Sequence, residues 1–167
     1  MVKRAVLSRE ELYALLETVM DPEVPVLSVV DLGIVRDAQS TEEGVVITIT
    51  PTYSGCPAMR EIEQNIRSSL EEQCVGPVDV RTTYTPAWTT DWISAAGREK
   101  LESYGIAPPG RAEQEPLITL RRRVDRLRCP YCKSLNTAER SHFGSTACKS
   151  IWFCNACRQP FEHFKAI

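Results

Sequence analysis

The 167-residue sequence predicts the α+β fold class, with a small mixed-sheet domain followed by a smaller all-β domain. Amphipathic helical patterns alternate with short β-branched runs over the first hundred residues. Residues 1–116 carry 10 Lys and Arg against 19 Asp and Glu, whereas residues 117–167 carry 10 against 3. Five of the seven cysteines also lie in the basic part. Because charge and cysteine usage change together, we expect two domains of different construction.

A proline-rich segment separates the two parts. Residues 107–116 contain three prolines and a glycine and show no apolar periodicity, which is typical of a linker. We therefore predict an α+β domain at 1–106, a linker at 107–116 and the second domain at 117–167. No stretch approaches the ~18 apolar residues of a membrane helix, and the start lacks the apolar core of a signal peptide. The expected location is the cytoplasm, where clustered thiols bind metal more often than they form disulfides.

Three helices and three strands are expected in the first domain, with the helices on one face of the sheet. Ser8 and Glu11 form the pattern of a capping box before a stripe of leucines, which predicts the first helix. Gly105 is expected to cap the third helix. A strand–helix–strand unit would make the third strand parallel to a neighbour. The predicted helices span about 9–20, 57–72 and 91–104, and the predicted strands span 29–35, 45–50 and 78–84.

Cys56 is a candidate reactive thiol between the second strand and the second helix. Pro57 suits the first helical position, so Cys56 is expected at the cap, where N–H groups and the helix dipole would lower its pKa. Such a thiolate could be a nucleophile, a metal ligand or a redox thiol. The alternative is a small buried hydrophobe in a turn. Cys74, near the end of the second helix, is expected to be a core residue.

The surroundings of Cys56 favour a transient metal site. No histidine lies near it in sequence, which gives a Cys–His hydrolase little support. One thiolate cannot hold an iron–sulfur cluster, which takes about four ligands, so a second subunit, a small thiol or a client would supply the rest. Asp21, Glu23 and Asp31 could face the thiol as metal ligands or proton acceptors. Alternatively, Asp21 caps a turn and the other two are solvated.

Two Cys-x-x-Cys pairs, with 21 residues between them, form the strongest motif of the second domain. Two-residue spacing lets a tight turn aim both sulfurs at one ion, and two such turns complete the tetrahedron of a structural Zn²⁺ site. A rubredoxin-like iron site uses the same ligands, and redox dithiols are a further alternative. A domain of about 50 residues has little core, so bound zinc would supply on the order of 10 kcal/mol of folding free energy. The predicted ligands are Cys129, Cys132, Cys154 and Cys157.

Strands at about 117–127, 137–143 and 147–153 would carry one cysteine pair back to the other. Other candidate ligands of this domain are expected to stand outside the metal site, because the four cysteines already fill it. They are Cys148, His142 and His163. The aromatic residues Phe143, Trp152, Phe153, Phe161 and Phe164 are expected to form the small core, although they could instead stack on bases.

A basic run at 121–128 could bind nucleic acid through phosphates, or it could dock an acidic protein surface. We favour protein docking and keep a nucleic-acid-binding ribbon protein as the alternative. A thiol enzyme that uses Cys56 is a third hypothesis. The sequence lacks the paired Glu and Glu-x-x-His sets of a di-iron oxygenase, and it lacks a nucleotide-binding glycine motif.

Together these motifs resemble a known family. Residues 21–33, Asp-Pro-Glu-Val-Pro-Val-Leu-Ser-Val-Val-Asp-Leu-Gly, and residues 50–57, Thr-Pro-Thr-Tyr-Ser-Gly-Cys-Pro, look like the iron–sulfur-assembly domain family. Residues 86–92, Pro-Ala-Trp-Thr-Thr-Asp-Trp, and 143–149, Phe-Gly-Ser-Thr-Ala-Cys-Lys, extend the likeness. Nearly the whole chain closely resembles the PaaD family, the D components of the phenylacetyl-CoA 1,2-epoxidase system of aerobic phenylacetate degradation.

The resemblance implies an accessory role in metalloprotein maturation rather than catalysis of the epoxidation. The family's reactive cysteine maps onto Cys56 and its acidic loop onto Asp21 and Glu23. The implied partners are subunits of the epoxidase, through its di-iron subunit or its iron–sulfur reductase, and an iron–sulfur donor protein. A homodimer would also help a single-thiol site. Zinc-ribbon turns often carry Gly after the second Cys, whereas Lys133 and Arg158 stand there in this chain.

Overall fold

A computed structural model describes residues 6–53, 55–73, 76–110 and 127–167 of the chain. It divides into two compact units, Met1–Gly97 and Arg98–Ile167. The three-part domain division inferred from the sequence stays a prediction. Cys74, residues 111–116 of the expected linker and residues 121–126 of the basic run lie outside the described ranges. Among the described residues, no helix is long and apolar enough to cross a membrane.

The first unit is built on a three-stranded mixed sheet, as the sequence predicts. In chain order the elements are α1 Arg9–Leu16, β1 Val35–Ser40, β2 Val45–Ile49, α2 Met59–Glu72, β3 Val78–Thr82 and α3 Ala95–Tyr104, the last of which continues into the second unit. Strand β1 pairs with β2 antiparallel, and β2 pairs with β3 parallel. Helix α1 contacts β1, and α2 contacts β3. A 3₁₀ turn at Thr90–Trp92 precedes α3.

Local signals account for the ends of these helices. The Ser8 hydroxyl accepts a hydrogen bond from the Glu11 N–H at 3.2 Å, and the Glu11 carboxylate accepts one from the Ser8 N–H at 2.7 Å. The predicted capping box is therefore confirmed, although α1 ends at Leu16 instead of near residue 20. Gly105 follows α3 with a left-handed φ of +91°, as expected for a glycine cap.

The first strand lies farther along the chain than predicted. Residues 29–33 form a turn, in which the Leu32 N–H donates to the Ser28 carbonyl at 3.0 Å. Val29 and Leu32 are buried in this turn, and the strand begins only at Val35. The prediction was wrong because a short apolar run does not distinguish a buried turn from a buried strand.

Two tryptophans fix this turn against the segment before α3. The Trp88 indole N–H donates to the Leu32 carbonyl at 2.9 Å, and the Trp88 side chain is buried. The Arg36 guanidinium lies 3.7 Å from the centroid of the Trp92 ring. Gly33 has a left-handed φ of +69°, and a Cβ at this position would collide with the Trp92 carbonyl. The aromatic motif at 86–92 therefore has a packing role in the first unit.

The second unit contains the strands β4 Ile106–Ala107, β5 Thr137–Ser141, β6 Lys149–Cys154 and β7 Pro160–Phe164, which form one sheet in the order β4-β7-β6-β5. The pairs β5–β6 and β6–β7 are antiparallel, and β4 pairs with β7 parallel. The sequence predicted two of these strands and missed β4 and β7. The third predicted strand, at 117–127, lies almost wholly outside the described residues.

One face of this sheet forms the core of the second unit. Trp152 and Phe161 pack there with Ala107, Cys129 and Cys154. Phe164 is also buried, and Phe153 is half-buried. The expectation that Phe143 belongs to the core is wrong, because 66% of its surface is exposed.

Candidate metal-binding sites

Two turns of the same construction present the four ribbon cysteines. In the first, the Cys129 carbonyl accepts from the Lys133 N–H at 2.9 Å, and in the second the Cys154 carbonyl accepts from the Arg158 N–H at 2.9 Å. The N–H of each leading cysteine donates in turn to a carbonyl five residues later, also at 2.9 Å. Each turn thereby holds its two sulfurs on the same side of the backbone.

The four sulfurs form one compact group. Their Sγ atoms all lie within 4.8 Å of one another, with Cys129 and Cys157 3.7 Å apart and Cys132 and Cys154 3.5 Å apart. Sulfurs bound at about 2.3 Å to a tetrahedral ion lie about 3.8 Å apart, so the donor set and its spacing fit one zinc-sized ion. Two of the four are buried and Cys132 is exposed.

The protein environment prepares one of these thiols to ionise. Backbone N–H groups of Cys157 and Ala156 donate to the Cys154 sulfur and lower its pKa to about 7. Burial and, to a smaller extent, the neighbouring sulfurs raise the pKa of Cys157 to about 12. A metal ion that binds all four as thiolates must therefore displace protons, which makes its affinity depend on pH.

The other candidate ligands of this unit do not belong to the group of four cysteines. Cys148 is buried, with its sulfur 3.0 Å from the Thr146 hydroxyl. His142 lies 3.2 Å from a Glu139 carboxylate oxygen, and the His163 ring lies 3.3 Å from the Ser150 hydroxyl. Among the described residues, the metal-compatible group contains only the four cysteines.

Cys56 lies in the loop between β2 and α2, three residues before the helix. The helix begins at Met59, with Ala58 at its N-cap, so Cys56 does not occupy the cap itself. Its sulfur nevertheless accepts a hydrogen bond from the Ala58 N–H and one from the Thr52 side chain. The side chain is partly exposed, which leaves the thiol accessible from solvent.

The pKa of the Cys56 thiol is raised, whereas the sequence predicted that it would fall. Burial is the largest cause, and the carboxylates of Glu23 and Asp21 add to it through repulsion of a negative sulfur. The hydrogen bonds from Ala58 and Thr52 act in the opposite direction but do not prevail. The pKa rises because desolvation and two acidic neighbours, which lie more than thirty residues away in sequence, outweigh the effect of the helix N-terminus.

The structure brings the acidic loop and the thiol together. One Asp21 oxygen accepts hydrogen bonds from the N–H groups of Glu23 and Val24, at 2.8 and 2.7 Å. Asp21 is buried and holds the turn, whereas Glu23 is partly exposed. The turn-capping alternative therefore describes Asp21, and its charge still reaches Cys56.

The Asp31 carboxylate links two segments of the chain by hydrogen bonds. Its carboxylate accepts hydrogen bonds from the N–H and the hydroxyl of Ser28, at 3.1 and 3.0 Å, and from the Ser94 hydroxyl at 3.1 Å. The Ser94 N–H also donates to the Asp31 carbonyl at 2.9 Å. Asp31 thus fastens the end of the acidic loop to the start of α3. Sequence reasoning missed this network and the Thr52 contact, because neither has a spacing signal.

Two family models match the chain. The description "Iron-sulfur cluster assembly protein" matches residues 9–82, and "PaaD zinc beta ribbon domain" matches residues 113–165. The first match covers the loop that carries Cys56, and the second covers the four ribbon cysteines.

The chain is also similar to individual proteins. It is 45% identical over 161 residues to a protein of Escherichia coli (strain K12) named as the D component of 1,2-phenylacetyl-CoA epoxidase, covering 94% of this chain and 92% of that protein. It is 35% identical to an Fe-S protein maturation auxiliary factor of Porphyromonas gingivalis (strain ATCC BAA-308 / W83), over 52% of this chain and 84% of that protein. A solved domain of unknown function, DUF59, from Bacillus anthracis superposes with a TM-score of 0.52 at 32% identity, covering 56% of this chain and 90% of that one.

Proposed function

Because the chain belongs to the PaaD family, the D components of 1,2-phenylacetyl-CoA epoxidase, we propose that it is a non-catalytic maturation factor of that multicomponent oxygenase. In this role it assists the insertion of iron or an iron–sulfur cluster into the di-iron subunit or the reductase subunit. The names of its relatives, which include an Fe-S protein maturation auxiliary factor, support the proposal. Its reduced thiols suit the cytoplasm.

The observation that carries the proposal is the pairing of Cys56 with the acidic turn at Asp21 and Glu23. A partly exposed sulfur offers a soft ligand to an iron cargo, and two carboxylates close enough to raise the pKa of the thiol attract the cation, while a partner supplies the remaining ligands. Asp21 holds the turn, and Glu23 supplies the more accessible oxygen atoms. With only one thiol, the site binds the cargo less completely than four thiolates would, which suits transfer to a client.

The raised pKa of Cys56 keeps its sulfur protonated while no cargo is bound. At neutral pH the sulfur carries its proton, so the repulsion from Glu23 and Asp21 is avoided. Arrival of a cationic cargo offsets the two negative charges, and the thiol releases its proton as the sulfur binds. Loading is therefore linked to proton release, and reprotonation of Cys56 favours unloading.

The ribbon cysteines are proposed to hold a structural Zn²⁺ ion. Cys129, Cys132, Cys154 and Cys157 would be its ligands, because their spacing fits a tetrahedral site. The ion would supply a cross-link that a small β unit needs for stability. The amide donors to Cys154 would orient that sulfur.

The test is an anaerobic maturation assay with purified, metal-free epoxidase subunits, an iron source and a sulfide source. Wild type, C56S and C148S are added separately, and the iron content of each subunit and the epoxidase turnover are measured. We expect C56S to lose most of the stimulation and C148S, a matched loss of a thiol outside both sites, to retain it. Full stimulation by C56S would overturn the proposal.

A further inference from the structure

The second unit has an apolar surface that its own described residues leave open. In the β6–β7 ladder, Phe153 pairs with Pro160 and Ile151 pairs with Glu162, so these four side chains share one face of the sheet. The opposite face carries the buried Trp152 and Phe161. Ile151 is 36% exposed and Pro160 is exposed. We call Ile151, Phe153 and Pro160, with the tyrosines described next, the open face.

Two tyrosines extend the open face into a groove. Tyr104 and Tyr131 are 57% and 55% exposed, and with Ile151 and Pro160 they line a groove of about 330 Å³. Gly105 permits this arrangement, because a Cβ there would come within 2.6 Å of the Tyr131 hydroxyl. Exposed tyrosines beside aliphatic side chains are typical of protein interfaces.

Among the described residues of the groove the acidic side chain is Glu162, and its charge is already neutralised. A Glu162 oxygen lies 3.3 Å from the buried Lys149 ammonium, and the other accepts from the Ser145 N–H at 2.8 Å. Although burial opposes ionisation, these partners lower the pKa of Glu162. The floor of the groove therefore presents no net negative charge to an approaching partner.

Two arginines at the edge of the open face are available for carboxylates. The guanidinium carbons of Arg140 and Arg158 lie 5.2 and 5.8 Å from the Phe153 ring centroid. Within the described part of the chain neither side chain has an ion pair. Stacking on an aromatic ring leaves the N–H edges of a guanidinium free to bind a carboxylate. Residues 127–167 also carry six Lys and Arg against two Asp and Glu.

Building on the proposed function, we propose that the open face binds a segment of an epoxidase subunit in which apolar side chains are flanked by Asp or Glu. The apolar side chains occupy the groove between Tyr104 and Tyr131. The flanking carboxylates pair with Arg140 and Arg158. Charge complementarity selects the partner, and the aromatic groove supplies most of the affinity.

A protein fits this surface better than a nucleic acid does. Phe153 is already flanked by two guanidinium groups, so its ring is not available to stack on a base. The rest of the open face consists of aliphatic and tyrosine side chains, so only the two guanidinium groups could bind phosphates. Nucleic-acid binding is nevertheless kept as one outcome of the test.

The test measures binding of the full zinc-loaded chain to each purified epoxidase subunit. The charge-reversal variant R140E/R158E should bind at least about tenfold more weakly than wild type. I151E should weaken binding similarly. The matched control is K165E, because the Lys165 ammonium contacts the Phe143 ring at 4.8 Å and the His142 carbonyl at 3.2 Å, neither of which belongs to the open face. K165E should bind like wild type, and zinc content confirms that all variants are folded.

The inference would be overturned if the wild type bound no subunit, or if R140E/R158E bound its target as tightly as the wild type. It would also be overturned if R140E/R158E kept its binding to the subunits and lost only its binding to a 20-nucleotide DNA. The proposed function has a separate readout, the iron content of the subunits at saturating protein. If C56S matures the epoxidase while R140E/R158E loses binding, the maturation proposal fails and the docking inference stands. The reverse pattern rejects only the docking inference.

Discussion

Lys133 and Arg158 share one left-handed backbone conformation, with φ of +65° and +63°, at equivalent positions of the two cysteine turns. Each follows the second cysteine of its pair, where its N–H donates to the carbonyl of the first cysteine. The conformation closes the turn around a metal-sized space and is unfavourable for residues with a Cβ. Lys133 and Arg158 therefore keep the turn geometry that glycine would allow, but at a cost in backbone strain.

Arg158→Gly should stabilise the second unit. Glycine relieves about 1–2 kcal/mol of left-handed strain and costs about 0.5–1 kcal/mol of chain entropy, so the expected gain is roughly 0.5–1 kcal/mol. The same substitution removes a guanidinium of the open face and should weaken docking. Thermal unfolding at a fixed free zinc concentration measures the first effect.

Lys133→Gly is the matched comparison for this prediction. It relieves the same strain but also removes the 2.6 Å contact of Lys133 with Glu102, an exposed ion pair worth about 0–1 kcal/mol. Because Arg158→Gly likewise loses its contact with the Phe153 ring, 5.8 Å from the guanidinium carbon, the two gains should be similar. A loss of stability in both variants would contradict the strain argument.

The Cys56 thiol should react slowly with iodoacetamide at neutral pH. Its raised pKa means that the thiolate fraction rises only as pH increases beyond the ordinary cysteine range. Glu23→Gln removes a repulsive charge, lowers the pKa and should speed alkylation at pH 8 about two- to threefold. Mass spectrometry of the peptide that contains Cys56 in the zinc-loaded protein follows the rate.

Glu43→Gln, in the exposed turn between β1 and β2, is the charge control for this experiment. It should leave the alkylation rate of Cys56 unchanged. If Cys56 of the wild type were alkylated faster than a free cysteine at pH 7, its thiol would be activated and the prediction would be wrong.

Metal content should follow the ribbon cysteines alone. Cys154→Ser removes one of four ligands and leaves buried thiols without their ion, so zinc should fall from about one per chain to near zero and the second unit should unfold. Cys56→Ser and Cys148→Ser should keep the zinc. Elemental analysis measures the zinc content, and the circular dichroism of the Trp152 environment measures the unfolding. Loss of zinc in Cys148→Ser would contradict the assignment of the four ligands.

Asp31→Ala should destabilise the first unit by about 3 kcal/mol. The substitution leaves the Ser28 N–H and hydroxyl and the Ser94 hydroxyl without their acceptor in a largely buried place. Denaturant unfolding measures the change. Asp37→Ala is the control: its 2.9 Å pair with Arg9 is exposed, so less than about 1 kcal/mol is expected. Equal costs would refute the anchoring role of Asp31.

The predictability of the fold differed between elements for physical reasons. The capping box at Ser8 and the apolar spacing of α2 are local signals, and both were identified. Strand β4 is only two residues long and exists because it pairs with β7, so no pattern within it could reveal it. The apolar run at 29–33 was misassigned because burial without alternation is compatible with a turn.

Residue type and spacing are covalent properties, so they were enough to predict two candidate metal sites: four cysteines in two close pairs, and a lone cysteine ahead of a helix. The electrostatics of these sites depend on how the chain folds. Desolvation and the approach of Glu23 and Asp21 reversed the expected pKa of Cys56, since both depend on distances through space. The same holds for the open face, which exists because strand register places Phe153, Ile151 and Pro160 on one side of the sheet.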